Sequence, residues 1–136
     1  MKFTVHKYNE DTDLEHINKW LKEYSKAPCD PYDMPDVGFV CKRGDYPIAA
    51  GFLRQIEGEN ALFDSLITNP GASSEFRHIA LDLVVNAVIE AAKKRGIRQI
   101  IAYSVDDSTL KRAIRHDFVK LPHTVIALNL KNGLSH

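Results

Sequence analysis

Several kinds of protein are excluded by what this chain has little of. It holds two cysteines in 136 residues, Cys29 and Cys41. That is too few for a disulfide scaffold, and two free thiols in a reducing cytoplasm is the reading they support. Charge of either sign is not in excess: 18 Lys and Arg balance 18 Asp and Glu. A field that would draw in nucleic acid or anionic lipid is therefore missing, and no nucleic-acid partner is expected. No apolar run approaches a bilayer span, and the opening Met1-Lys2-Phe3-Thr4-Val5-His6 is too polar for a signal peptide. Both point to a cytoplasmic protein with no membrane contact. The six histidines, His6, His16, His78, His116, His123 and His136, form no close pair, so no metal site is expected. There is no internal repeat and no sign of a second domain. A chain of this length that is 44% apolar suits one globular domain over residues 1–136 with a real core.

What is present is organised around residues 60–96. Residues 61–68 read as a strand, Asn69-Pro70-Gly71 as a turn, and residues 75–95 as a long helix. Ala80, Leu83, Val84, Ala87, Val88 and Ala91 make its apolar stripe, with Asp82, Asn86, Glu90, Lys93 and Lys94 opposite. Gly96 stands where a left-handed cap belongs. A strand running into a helix N-terminus leaves backbone donors aimed at a crevice, where anions bind.

The rest follows in order. Residues 2–8 alternate as a strand, and residues 13–24 form a helix with Leu14, Ile17, Leu21 and Tyr24 on one face beside Trp20. Residues 25–36 contain three prolines and predict a long irregular loop, of a kind that often carries function. Residues 37–43 and 46–57 form a hairpin about Gly44-Asp45, and residues 58–60 turn into the strand at 61. Residues 97–104 suit a strand buried on both faces. Asp106-Asp107-Ser108 caps a short helix over 109–116, with Leu110, Ala113 and Ile114 inward. Residues 124–130 read as a last strand, and residues 131–136 as a polar tail. Hairpins predict antiparallel pairs, and the strand–long helix–strand unit predicts a right-handed crossover and a parallel pair. The expected class is α/β (α+β): a mixed, mostly antiparallel central sheet with helices on both faces.

This order, the helix ending Ala92-Lys93-Lys94-Arg95-Gly96 before Ile97, and the short helix ending at Asp117-Phe118 together resemble the GCN5-related N-acetyltransferase (GNAT) superfamily. The chain looks like a divergent small member of the phage or bacterial kind. Where the family has Gly-Phe, this chain has Asp-Phe. The resemblance implies that acetyl-coenzyme A lies in a V-shaped split between strands 61–68 and 97–104. Its pantetheine arm would pair with backbone near Leu66, Ile67 and Thr68, and its pyrophosphate would rest on the long helix. The family motif Arg/Gln-x-x-Gly-x-Gly/Ala falls on Arg77-His78-Ile79-Ala80-Leu81-Asp82. Arg77, His78, Ile79 and Ala80 are thereby expected at the cofactor, and Arg112, flanked by Lys111 and Arg115, at its 3′-phosphate. A solvated basic face is the other reading of those three cations. Two features cut against the motif. Alanine and aspartate replace glycines, and Ser73 or Ser74 before Glu75 reads as an ordinary N-cap, which would commit the amides near 79–82 to the helix.

Amine acetylation needs a polarised carbonyl, a neutral amine and a stabilised leaving thiolate. Asp64, in an otherwise apolar strand, is the first candidate for the base, ahead of Glu57 and Glu59 acting through water. The family's tyrosine acid would fall near Ala113, and no tyrosine lies between Thr109 and Phe118, so Tyr103 and Ser104 become the candidates. Cys29 has no local base to make it a nucleophile. Asp30, Asp33 and Asp36 in the long loop suit a cationic acceptor, a small molecule or a protein amine. Two functions are carried forward: an acetyl-coenzyme A-dependent N-acetyltransferase, and a non-catalytic module of the same fold, such as a phage particle component or protein-interaction domain. A homodimer is compatible with either.

Overall fold

The computed structural model describes residues 1–103 and 106–130. The elements run β1 (Phe3–Lys7), α1 (Glu10–Glu23), a 3₁₀ turn at Pro31–Asp33, β2 (Val37–Arg43), β3 (Tyr46–Gln55), β4 (Asn60–Thr68), α2 (Ser74–Lys94), β5 (Gln99–Ile101) and α3 (Asp107–Arg115). The strands form one sheet in chain order, β1-β2-β3-β4-β5. The first three pairings are antiparallel and the last is parallel. Two hairpins set the β2–β3 and β3–β4 pairs and the crossover through α2 sets the parallel one, while β1 reaches β2 through α1 and the long loop.

The helices bury opposite faces of the sheet. On one side Ile17, Trp20 and Leu21 of α1 pack with Val40, Ala50 and Phe52. On the other, Ala80, Val84, Val88 and Ala92 of α2 pack with Cys41, Ile48, Ala49, Leu53 and Ala61. The i, i+4 series 80-84-88-92 is one straight row, which lets a helix of mostly small residues lie close to the sheet. Gly51 makes the approach closer still: a Cβ there would sit 2.6 Å from Val84 Cγ1.

α1 starts one turn before the expected residue 13. Asn9 caps it by accepting from the Asp11 amide, and the buried Asp13 carboxylate accepts from the Asn9 amide at 2.8 Å. That reciprocal pair satisfies two first-turn donors and extends the helix back through the predicted turn.

All three helices end the same way. The residues after their caps, Ser25, Gly96 and Asp117, have φ of 59°, 75° and 69°. In each, the following amide reaches back to Leu21, Ala92 or Ala113, which is the Schellman arrangement. Only Gly96 takes this left-handed conformation without a Cβ penalty. Asp117→Gly is therefore expected to stabilise the protein by about 0.5–1 kcal/mol. Urea denaturation checks this, and a lower midpoint would show that the Asp117 side chain contributes more than its backbone costs.

Three expectations are corrected. Residues 124–130 form no strand: the run is exposed and has no ladder partner among the described residues, and strand composition without one does not make a strand. The strand expected over 97–104 shrinks to Gln99–Ile101, since the pairing with β4 ends there and residues 102–103 turn outward. On α3 the residue that turns inward is Arg112, 9% exposed, while Ile114 is exposed. Ser104 and residues 131–136 lie outside the described residues.

Candidate active site

The site is made by two irregularities in β4. The first is a bulge. Phe52 of β3 stands opposite Ser65 and Leu53 opposite Phe63, so Asp64 is an extra residue with no partner on β3. A bulge resets the alternation of side chains. Phe63 and Leu66, three apart, consequently both pack toward α2, while Ile67 packs toward α1. The second is a splay. Among the described residues β4 pairs with β5 through Asn60↔Gln99, Ala61↔Ile100 and Leu62↔Ile101. Beyond Leu62 the two parallel strands part, and residues 63–68 have no partner on that side among the described residues.

A cleft of about 200 Å³ opens where they part. Phe63, Ser65 and Leu66 form one wall, Ala102 and Tyr103 the other, and Val85, Thr109, Arg112, Ala113 and Phe118 close it from α2 and α3. Tyr103 stands at the rim, largely exposed. Ala113, at the register where the family tyrosine was sought, presents a methyl group and no proton to give.

A second cavity, of about 190 Å³, lies on the α1 side of the sheet. Cys29, Asp30, Asp33, Met34 and Pro35 of the long loop line it, together with Phe52 and Arg54, and Asp64 and Ser65 line both cavities. Arg54 Nη2 lies 3.5 Å from Asp64 Oδ2 and also donates to the Asp33 carbonyl. One guanidinium thus ties the loop to the bulge. The loop's other anchor is Asn18, which accepts from the Cys29 amide at 2.8 Å. Burial and the nearby Asp64 carboxylate push the Cys29 thiol up, and burial pushes Cys41 up to about 11. Neither is a thiolate nucleophile near neutrality.

The residues expected at the cofactor divide. Leu66 and Arg112 line the cleft. Ile67 belongs to the α1-side core, and the Thr68 hydroxyl meets Tyr24 at 2.9 Å. Arg77 donates to the Pro70 and Ala72 carbonyls at 3.2 and 3.1 Å, pinning the turn before α2. Ser73 caps α2 by accepting from Phe76, so the helix begins five residues before Ile79 and the amides of Ile79 and Ala80 are spent inside it. Asp82 is the centre of a cluster that the sequence did not announce. Arg115 bonds both its oxygens at 3.0 and 3.1 Å, His116 reaches it at 3.1 Å, Arg112 Nε lies at 3.3 Å and His78 at 3.7 Å. His78 Nδ1 in turn meets Arg112 at 2.9 Å. The Arg112 Nε is buried and makes no hydrogen bond, so its contact with Asp82 is ionic only. This cluster fastens α3 to α2, and Arg112 is the member of it that also lines the cleft.

Burial raises the Asp82 carboxyl, but the hydrogen bond from His116 and the charges of Arg115 and Arg112 outweigh it and hold it below its ordinary 3.8. A carboxyl depressed on folding stabilises the fold in full above about pH 4, and the contribution is lost as the pH falls through the lower folded value. Asp82→Asn should therefore flatten the fall in melting temperature as the pH drops below about 4. An unchanged acid limb would mean that the cluster adds nothing to stability.

Among the described residues no group of His, Cys, Asp and Glu could hold a metal, and no helix is long and apolar enough to cross a membrane. No family model matches the chain, and no curated protein matches it in sequence. Solved structures do match. A GNAT-family acetyltransferase of Streptococcus pneumoniae superposes with a TM-score of 0.71 at 13% identity, over 96% of this chain and 100% of its own. The ribosomal-protein-S18-alanine N-acetyltransferase of Escherichia coli gives 0.68 at 11% identity, over 85% and 76%. A protein described as a transcriptional regulator from Bacillus halodurans gives 0.69 at 16% identity, over 95% and 100%. Likeness at these identities concerns the fold, and one fold carries several functions. In its mixed five-stranded sheet with one parallel pair, and in its three helices, this chain has the fold of the GNAT acetyltransferases.

Proposed function

We propose that the chain is an acetyl-coenzyme A-dependent N-acetyltransferase that acts on an amine, with Asp64 as the base. The observation that carries this reading is the place of Asp64, on a bulge shared by two cavities that meet at β4. Acyl transfer to an amine requires that the two reactants approach one point from separate sides. The cleft between β4 and β5 fits the acyl end of the cofactor: apolar side chains make up the larger part of its lining, and it is bordered by strand backbone with no ladder partner among the described residues. The other end fits differently from the family pattern. The glycine-rich turn is replaced by helix, so Arg112, with Arg115 beside it, would hold the phosphates. When bound, acetyl-coenzyme A supplies an activated acyl group.

The chain's own residues do the rest. Asp30 and Asp33 give the α1-side cavity a negative lining that favours a cationic acceptor. Asp64 takes the ammonium proton, leaving a nucleophilic amine. Unpaired β4 amides hold the carbonyl oxygen as charge develops on it. Tyr103 at the far rim carries the proton for a departing sulfur. Calorimetry with coenzyme A tests the reading. Micromolar affinity with a raised melting temperature is expected, by about 2.7 kcal/mol of stabilisation at a hundredfold excess over Kd. A second reading, a non-catalytic binding module, is favoured by one feature: Asp82 places a carboxylate among the cations that would meet phosphate. Absence of binding at millimolar coenzyme A would select it.

A further inference from the structure

Arg112 belongs to two surroundings at once: it lines the cleft, and it sits in the cluster around Asp82. The groups about that carboxylate are not held alike. Arg115 reaches both oxygens at 3.0 and 3.1 Å, and His116 reaches Oδ1 at 3.1 Å. Those are charge-assisted hydrogen bonds, the stronger kind. Arg112 Nε lies 3.3 Å from Oδ1, yet it forms no hydrogen bond, although its residue is only 9% exposed. Arg112 Nη2 meets His78 Nδ1 at 2.9 Å. A guanidinium only donates, so Nδ1 accepts. A buried polar group without a hydrogen bond is costly, and a charged one more so. Charge does not make this good: burial lowers the Arg112 guanidinium from its ordinary range, and Asp82, the next influence, does not offset it. Asp106, whose field also reaches Arg112, is engaged at the start of α3, where it accepts from the Thr109 amide at 2.7 Å and the Ser108 hydroxyl at 2.9 Å.

We propose that Asp82 competes from within the protein for the cation that meets the donor's phosphate: Arg112 rests on Asp82 in the free protein and turns to a phosphate of the acyl-thioester donor in the complex. This rests on the acetyl-coenzyme A reading of the cleft and adds a control on it. Three observations carry it. The buried Nε–H of Arg112 has no acceptor, and a phosphate oxygen is a strong one. Asp82 does not need Arg112, because Arg115 and His116 still bond it when Arg112 leaves. His78, its side chain about half exposed, can take water in place of the lost donor. The exchange therefore strands no polar group, and each anion ends with one arginine: Arg115 on Asp82, Arg112 on phosphate. Arg115 and His116 already fasten α3 to α2, so stability does not account for the second, imperfectly bonded arginine. A donor without phosphate would leave Arg112 where it is.

Coenzyme A, pantetheine and inorganic pyrophosphate, each added to the full chain, test this. In the isotope-labelled wild type, the Arg112 Nε–H signal should shift as coenzyme A is added while that of Arg115 stays, and pantetheine should move neither. By calorimetry, Asp82→Asn should bind coenzyme A at least about fivefold more tightly, with pantetheine within about twofold of the wild type. Arg112→Gln should bind coenzyme A at least about tenfold more weakly. Adding Asp82→Asn to Arg112→Gln should then gain nothing, because the competition needs both side chains. The wild-type titration needs no variant and stands even where one fails to fold. Coenzyme A that binds with Arg112 unmoved, or no tighter binding by a folded Asp82→Asn, overturns the proposal and leaves the acetyltransferase reading standing. Pyrophosphate that binds as tightly as coenzyme A also overturns it, since the site would then serve a free anion. No binding of coenzyme A to either protein overturns both.

Discussion

Ala113→Trp should abolish coenzyme A binding while the protein stays folded. Ala113 sits on α3 with its methyl group at the wall of a cleft of about 200 Å³. An indole placed there occupies most of that space, and the strands cannot part further without breaking the three β4–β5 pairs that end at Leu62 and Ile101. A loss of at least about a hundredfold in affinity is expected, about 2.7 kcal/mol. Ala113 is only half-buried, so the melting temperature should fall little. The control is Ile114→Trp, one residue along on the exposed side of the same helix, which should bind coenzyme A as the wild type does. Equal binding by Ala113→Trp would place the ligand outside this cleft.

The second large effect belongs to Asp64→Asn. Removing the base should lower kcat/KM for a cationic amine by about 10²–10⁴-fold, since positioned acid–base groups contribute on that scale. Affinity for coenzyme A should stay within about twofold, because a carboxamide keeps the shape of the bulge and can still meet Arg54. The pH profile separates a base from a structural residue. Without a proton acceptor, the enzyme must wait for an amine that is already neutral, so the variant's rate should climb about tenfold per pH unit toward the amine's own pKa. Thiol release from acetyl-coenzyme A with a panel of diamines and lysine peptides measures this. A variant with the wild-type profile would leave Asp64 a surface residue.

The sheet was legible in the sequence because its signals are local. The hairpin at Gly44-Asp45, the small-residue row of α2 and the Gly96 stop each act within a few residues, and they set the strand order. The bulge was not legible. Nothing in Phe63-Asp64-Ser65 shows that one of the three has no partner, because that depends on how Phe52 and Leu53 pair from the neighbouring strand. Asp64 stands out in the sequence as a carboxylate in an apolar strand, and the structure places it at that bulge. Arg54 was missed because its role comes from a loop twenty-one residues earlier. Arg112 was expected near a phosphate only through the resemblance, and its contacts with Asp82 and His78, which join two helices thirty or more residues apart, were not legible. The terminal strand was over-read for the opposite reason: Val125-Ile126-Ala127-Leu128 has strand composition, but a strand also needs an edge to join, and composition carries no record of whose edge that is.

Acyl transfer in this cleft requires the backbone of β4 beyond the bulge to be free to pair with a ligand. Amide chemical shifts of the isotope-labelled protein, followed while coenzyme A is added, test that point directly. The largest changes should fall on residues 63–66 and on Ala102 and Tyr103, with amide exchange slowing at 63–66. Saturable shifts confined to other surfaces, with those residues unmoved, would contradict it.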